Sequence, residues 1–224
     1  IRYIFNVNFF FKMKKNKIDK NKFLFKFLEN FSSSSDMDNA ILNTLSQMKI
    51  DKDRIQEVKS EILPNGFKSL MTEVNQIINE RIKSEKPPKN FKTLRTHEKV
   101  IFFVMRRLEI FNEILDKYKF FRETLKPFVF LNTSKTLFHI ADEIWFLSGD
   151  KSTDYNYYTK RFLLMKIYAL TFSFFIFDRS ENFQNTKKFL EKQIELVLGF
   201  GKLKQKFKKK TNSSLYNVPF FLVP

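Results

Sequence analysis

The chain has 224 residues, of which 43% are hydrophobic, and a formal net charge of +17. With no cysteine it can hold no disulfide, thiolate nucleophile or Cys-ligated metal, and four glycines with six prolines are too few for the many tight turns of an all-β fold. The charge points to an anionic partner, nucleic acid or an acidic membrane surface, while the longest apolar run, residues 167–177, is too short to cross a bilayer.

Residues 1–35 are basic (Arg2, Lys12, Lys14, Lys15, Lys17, Lys20, Lys22, Lys26), opposed only by Asp19 and Glu29, and they close on a serine run. Basic, acid-poor and Ser-containing is the profile of an organelle transit peptide; a disordered tail, or sequence upstream of a start at Met13, accounts for it equally. From residue 36 the apolar period is helical. Short helices are expected over residues 37–48 and 51–62, a turn at "LPNG" (63–66) and a helix over 67–84, closed by "KPPK" (86–89), where proline removes a donor and clashes with a continuing helix.

The next helix carries one stripe through Ile101, Val104, Leu108, Phe111, Leu115 and Tyr118. Asn132 or Thr133 is the expected cap of another helix, with the face Leu137, Ile140, Ala141, Ile144 and Trp145, ended by a left-handed Gly149. The stretch "GDKSTDYNYYTKR" (149–161) follows, with Ser152 or Thr153 as the next cap. Tyr155, Tyr158, Phe162, Met165, Ala169, Phe172 and Ile176 then step by three and four, and Leu163, Leu164, Ile167, Leu170 and Phe174 fill the other faces. A helix apolar nearly all round is buried or borders an apolar cavity. Asp178 and Ser180 end it and cap a last helix with the stripe Phe183, Leu190, Ile194, Val197; "GFGK" (199–202) is the expected stop before a lysine-rich tail. The fold class is all-α.

Catalytic constellations are absent. The two histidines, His97 and His139, are preceded at three residues by Leu94 and Thr136, so the Glu-x-x-His pairs of a di-iron bundle are missing. Asp142 and Glu143 are neighbours on a helix and point about 100° apart, which rules out a facing carboxylate pair. "GFG" at 199–201 lacks the third glycine and preceding strand of a dinucleotide loop. No enzyme activity, metal or cofactor is expected.

Two binding classes remain. Short leading helices before a longer helical body give the layout of TetR-type regulators, whose leading helices meet DNA. Residues 50–85 would have to present cations to phosphate, yet Lys52, Arg54, Lys59, Lys68, Arg81 and Lys83 face Asp51, Asp53, Glu57, Glu61, Glu73, Glu80 and Glu85. Six cations against seven acids make a DNA-reading face unfavourable. The other class is lipid or membrane binding, suited by the aromatic-rich helix and by a tail of Lys204, Lys206, Lys208, Lys209 and Lys210, each cation worth about 1 kcal/mol near an anionic surface. A packed core with a solvated tail remains open beside it.

At "LRTHEKVIFFVMRR" (94–107), at "ADEIWFLSGDKSTDYNYYTKR" (141–161) and at "FDRSENFQNTKKFLEKQIELVLGFGK" (177–202), the chain resembles the ninth family of coenzyme Q biosynthesis proteins, found in mitochondria and α-proteobacteria. The resemblance implies a TetR-like helical bundle over residues 36–202 with a vestigial N-terminal helix-turn-helix, flanked by the extension 1–35 and the tail 203–224. It implies a non-catalytic accessory protein of ubiquinone biosynthesis that binds isoprenoid quinone intermediates or phospholipid and presents substrate to the demethoxyubiquinone hydroxylase. A homodimer and a mitochondrial place at the matrix face of the inner membrane go with it; a membrane-associated protein of the bacterial cytoplasm is the alternative.

By position, the family's hydroxylase-contacting patch falls on Asp142, Ile144, Trp145, Tyr157 and Tyr158, and its arginine near a phospholipid head group falls on Arg161. A guanidinium grips phosphate through two parallel hydrogen bonds, and tyrosine suits a boundary wet on one side and apolar on the other. The chain departs from the family pattern with Tyr157 where tryptophan is frequent and Lys160 where arginine is. A lysine run and a Pro-containing end also replace the long amphipathic C-terminal helix of eukaryotic members.

Overall fold

The computed structural model describes residues 17–210, without the side chains of residues 127–132, 154 and 200–210. Among the described residues every regular element is helical. They form two compact units, one of residues up to 77 with 111–132, the other of residues 78–110 with those from 133 onward.

The first unit is organised by phenylalanine. Asp19 caps α1 (Lys20–Ser33) by accepting from the Lys22 N–H at 3.0 Å. Phe23, Phe27 and Phe31 then recur every fourth residue along its inner face, each 1% exposed or less. Their rings follow one another at 5.8 and 5.9 Å, and the series continues from Phe31 to Phe67 (6.2 Å), Phe120 (5.0 Å) and Phe111 (4.9 Å). The carbonyls at the C-terminus of α1 lack intrahelical partners, and the Lys119 ammonium donates to those of Phe31 and Ser34. Asp36 caps α2 (Met37–Gln47), which Asn30 joins to α1 through Thr44 and Gln47.

After a 3-10 turn, α3 (Ile55–Glu57) runs into a π-helical turn, Val58–Ile62. Gly66, at φ +55°, then turns the chain into α4 (Phe67–Ser84). Part of the extension expected over residues 1–35 is therefore core. The basic composition of the segment hid a period-four Phe stripe, and the helical body begins at Lys20; residues 1–16 lie outside the description.

In α5 (Thr96–Ile114) Val104, Leu108 and Phe111 are buried as the stripe requires. The helix stops short of Tyr118, however, because Asp116 caps a separate α6 (Lys117–Thr124), accepting from the Lys119 N–H at 2.9 Å. Tyr118 is left 46% exposed. α7 (Pro127–Leu147) starts earlier than the expected cap at residue 132 or 133; proline is tolerated at a first helical position, where its missing N–H costs nothing. Gly149 ends it at φ +81°, the left-handed conformation expected there.

The second unit is built around α8 (Asp154–Phe177). Its buried line is Arg161, Leu164, Tyr168, Thr171 and Phe175, about one residue round from the expected stripe, so Tyr155 and Tyr158 are exposed. The guanidinium of Arg107, 1% exposed, donates to the Asn79 amide oxygen inside this unit, and Lys83 pairs with Glu143 at 2.7 Å. Between α8 and α9 (Gln184–Lys210), the buried Asp178 carboxylate accepts from the Ser180 and Thr186 N–H groups, both at 2.8 Å, and from the Thr186 hydroxyl at 2.6 Å. Burial opposes its charge, but these donors prevail and hold its pKa at about 2.

The expected stop at residues 199–202 is corrected by α9, which continues through both glycines to Lys210. Glycine inside a helix costs only about 1 kcal/mol relative to alanine, and Gly199 is not left-handed. The boundary at residue 203 accordingly falls inside this helix. Among the described residues no helix is long and apolar enough to cross a membrane.

Candidate functional site

The residues singled out in the sequence meet where α7 turns into α8. The turn is short, so the last two turns of α7 lie against the first two of α8, and the side chains at 142 and 145 reach those at 157, 160 and 161. The Tyr157 hydroxyl donates to Asp142 Oδ1 at 2.9 Å, and the Trp145 indole N–H donates to the Lys160 carbonyl at 3.1 Å.

Arg161 is the centre of the arrangement. Its residue is 4% exposed, which a guanidinium tolerates only when its charge and donors are met. Nε donates to Asp142 Oδ1 at 2.6 Å; Nη1 donates to Asp150 Oδ2 at 3.3 Å and to the Tyr157 carbonyl at 3.2 Å. The Tyr157 ring lies over the guanidinium, with its centroid 3.3 Å from the guanidinium carbon, a cation–π contact one helical turn apart. Burial works against the charge, but the bonds to Asp142 and Asp150 outweigh it and raise the Arg161 pKa above its ordinary value.

Asp150 is the residue that the sequence reading missed. Its side chain is only 3% exposed. Oδ1 accepts from Lys160 Nζ and from the Ser152 hydroxyl, each at 2.7 Å, while Oδ2 takes Arg161. Burial alone would push this carboxyl up; the donors from Lys160, Ser152 and Arg161 bring it below its ordinary value. One buried carboxylate thus holds both adjacent cations of the Lys160–Arg161 pair. The usable signal was its place directly after the left-handed Gly149 and two residues before Ser152.

The patch residues divide by exposure. Ile144 is fully buried, which corrects its expected place on a surface: in the register of α7 it falls on the core face with Ile140 and Ala141. Trp145 and Tyr157 are half-buried, with Lys160 5.2 Å above the Trp145 ring. Asp142 keeps 40% of its side chain exposed. Tyr158 is 64% exposed, its ring edge-on to Tyr157 at 5.1 Å. Phe146 (69%) and Tyr155 (59%) are as open, and neither was singled out as part of the patch. The side chains of Lys204, Lys206, Lys208, Lys209 and Lys210 lie outside the description, although their backbone is the end of α9.

In the first unit, three cations of the leading helices are tied to acids. Arg54 pairs with Glu57 at 2.6 Å, Lys59 with Asp38 at 2.7 Å, and Lys20 with Glu73 at 2.7 Å.

Comparison with known proteins finds the COQ9 family over residues 131–201, the stretch holding this whole cluster. A probable ubiquinone biosynthesis protein coq9, mitochondrial, of Dictyostelium discoideum is 30% identical over 103 residues, 46% of this chain and 34% of that protein. The human ubiquinone biosynthesis protein COQ9, mitochondrial, is 37% identical over 28% of this chain and 20% of its own length. The COQ9-A protein of Xenopus laevis is 40% identical over 30% and 21%. The matched part of the chain thus spans about a third or less of these relatives. A TetR transcriptional regulator from Nitrosomonas europaea has a similar structure, with TM-score 0.54 and 14% identity over 79% of this chain and 96% of that one. That likeness is one of fold, and it agrees with the TetR-like all-α reading.

Proposed function

We propose, for a chain that resembles the COQ9 family across the whole α7–α8 cluster, a non-catalytic lipid-binding accessory role in ubiquinone biosynthesis. The protein binds an isoprenoid quinone intermediate or a phospholipid, and it presents substrate to the demethoxyubiquinone hydroxylase through the surface around Tyr158. It acts as a homodimer in mitochondria, at the matrix face of the inner membrane, where the lysine-rich end of α9 meets anionic lipid.

The observation that carries this reading is the cluster itself. The family match falls on residues 131–201, where a buried, doubly paired Arg161 stands beneath a half-buried Tyr157, whose ring meets an exposed Tyr158 edge-on. Aromatic side chains that expose ring area beside a fixed ionic network are the composition of an interface hot spot. A pure core would have buried Tyr158.

The TetR-like fold raises DNA binding as the second reading. Against it stand the acid-rich leading helices and the pairing of Arg54 and Lys59 with Glu57 and Asp38. Cations already paired add little to the counterion release that drives DNA affinity.

The test is co-purification with the hydroxylase in cells lacking their own COQ9 relative, with quinones measured in the same extracts. Recovery of hydroxylase with the protein and restored ubiquinone support the proposal. Nanomolar preference for one DNA operator at physiological salt, with no hydroxylase recovered, overturns it.

A further inference from the structure

The guanidinium of Arg161 is used unevenly. A guanidinium grips an oxyanion best through two parallel N–H donors on one edge. On the edge formed by Nε and Nη2, Asp142 takes Nε alone, through the single oxygen Oδ1, and that oxygen also accepts from the Tyr157 hydroxyl. Among the described residues no hydrogen bond engages Nη2. The other nitrogen, Nη1, is held from inside by Asp150 and the Tyr157 carbonyl.

The two carboxylates also differ in exposure. Asp150 is 3% exposed and bound by three side chains, whereas Asp142 is 40% exposed. An entering anion can therefore compete with Asp142 for water-accessible space, while displacing the buried Asp150 would break its bonds to Lys160, Ser152 and Arg161 at once. Removing one member of a buried pair is far costlier than exchanging a partly solvated one.

We propose that Asp142 is a resident stand-in for a phosphate oxyanion, occupying half of the two-donor edge of Arg161 until a phosphate group displaces it. Asp150 keeps the guanidinium in place throughout. Tyr157 sets the strength of the latch, because its hydroxyl holds the same Asp142 oxygen that Arg161 does. This rests on the proposed binding of phospholipid, with Arg161 at the head group as the family resemblance implies; what it adds is the residue that limits the affinity and the direction in which its change acts. A phosphate on a lipid and a free phosphate share the chemistry, so the test separates them.

Purified protein and its Asp142→Asn variant are titrated with phosphatidylcholine vesicles containing phosphatidic acid, with phosphatidylcholine vesicles alone, and with inorganic phosphate. Asparagine keeps an oxygen for both donors and removes only the charge. Asp38→Asn, which changes net charge equally at another exposed acid, is the control. Asp142→Asn binds the phosphatidic acid vesicles about tenfold more tightly than the control, the scale of one partly exposed charged hydrogen bond. Tyr157→Phe shifts affinity the same way, by about threefold, and serves if Asp142→Asn fails to fold. A gain toward inorganic phosphate without a gain toward vesicles identifies a free anion as the occupant.

If neither variant binds any probe more tightly than Asp38→Asn, the stand-in role of Asp142 is overturned. Arg161→Lys keeps the charge and loses the fork, and it tests the underlying reading separately. Weakened vesicle binding in Arg161→Lys without any gain in Asp142→Asn leaves the phosphate reading intact and removes only the latch. Unchanged binding in Arg161→Lys removes both.

Discussion

Replacing Tyr158 by alanine separates an interface from a core. Its side chain is 64% exposed, so only about a third of the ring area is lost from burial on truncation. Full burial of a large apolar side chain is worth about 1.5–3 kcal/mol, which leaves roughly 0.5–1 kcal/mol here. The edge-on contact with Tyr157 at 5.1 Å adds about 0.5–1.5 kcal/mol at most. Together these amount to about 1–2.5 kcal/mol, which lowers the melting temperature of a chain this size by about 2–10 °C. An aromatic hot spot, by contrast, loses 2 kcal/mol or more of partner binding, about thirtyfold in Kd. The assay pairs thermal melting with calorimetric titration of the hydroxylase. A large fall in melting temperature with unaltered affinity would refute the reasoning, because Tyr158 would then be a packing residue.

Phe27→Ala, at a fully buried ring between Phe23 and Phe31, destabilises the first unit by about 3–5 kcal/mol; urea unfolding unchanged from wild type would mean that α1 is no part of the core. Asp178 has a folded pKa of about 2 against an ordinary 3.8. Its contribution, on the order of 2 kcal/mol, is therefore fully present above pH 4 and disappears as pH falls toward 2. Asp178→Ala removes that part of the acid dependence, and an identical decline in the variant between pH 4 and 2 would refute the assignment. Changing Lys204, Lys206, Lys208, Lys209 and Lys210 to glutamine weakens binding to acidic vesicles and flattens its salt dependence, and unchanged vesicle binding would make that end of α9 merely solvated.

The helical class, the turn at 63–66, the left-handed Gly149 and the closing of α8 at Asp178 were legible because each rests on local chemistry: period, proline and glycine conformation, and short polar side chains that cap. The Arg161–Asp142 pair was within reach of sequence only as two positions, since their meeting depends on how α8 folds back onto α7. Asp150 stayed hidden for the same reason; a carboxylate in a loop looks solvated until two cations from the next helix close on it.

The α8 stripe was misplaced by about one residue because apolar residues lie nearly all round that helix, and hydrophobicity then carries little phase. α1 was passed over because eight cations in its segment outweighed three phenylalanines spaced by four. The helical run past Gly199 shows glycine as a weak stop when the flanking residues favour helix. Ile144 was placed in the patch by position from the family resemblance, while the period of its helix already put it on the apolar face, and the burial follows the period.

The most direct test of the account is the lipid that the protein carries. Protein purified from cells that make ubiquinone, extracted with organic solvent and analysed by mass spectrometry, should yield an isoprenoid quinone intermediate or a phospholipid at near-stoichiometric amount. The Arg161→Lys variant should retain less phospholipid. Extracts of wild-type protein with no lipid above the level of an unrelated helical protein would contradict the account.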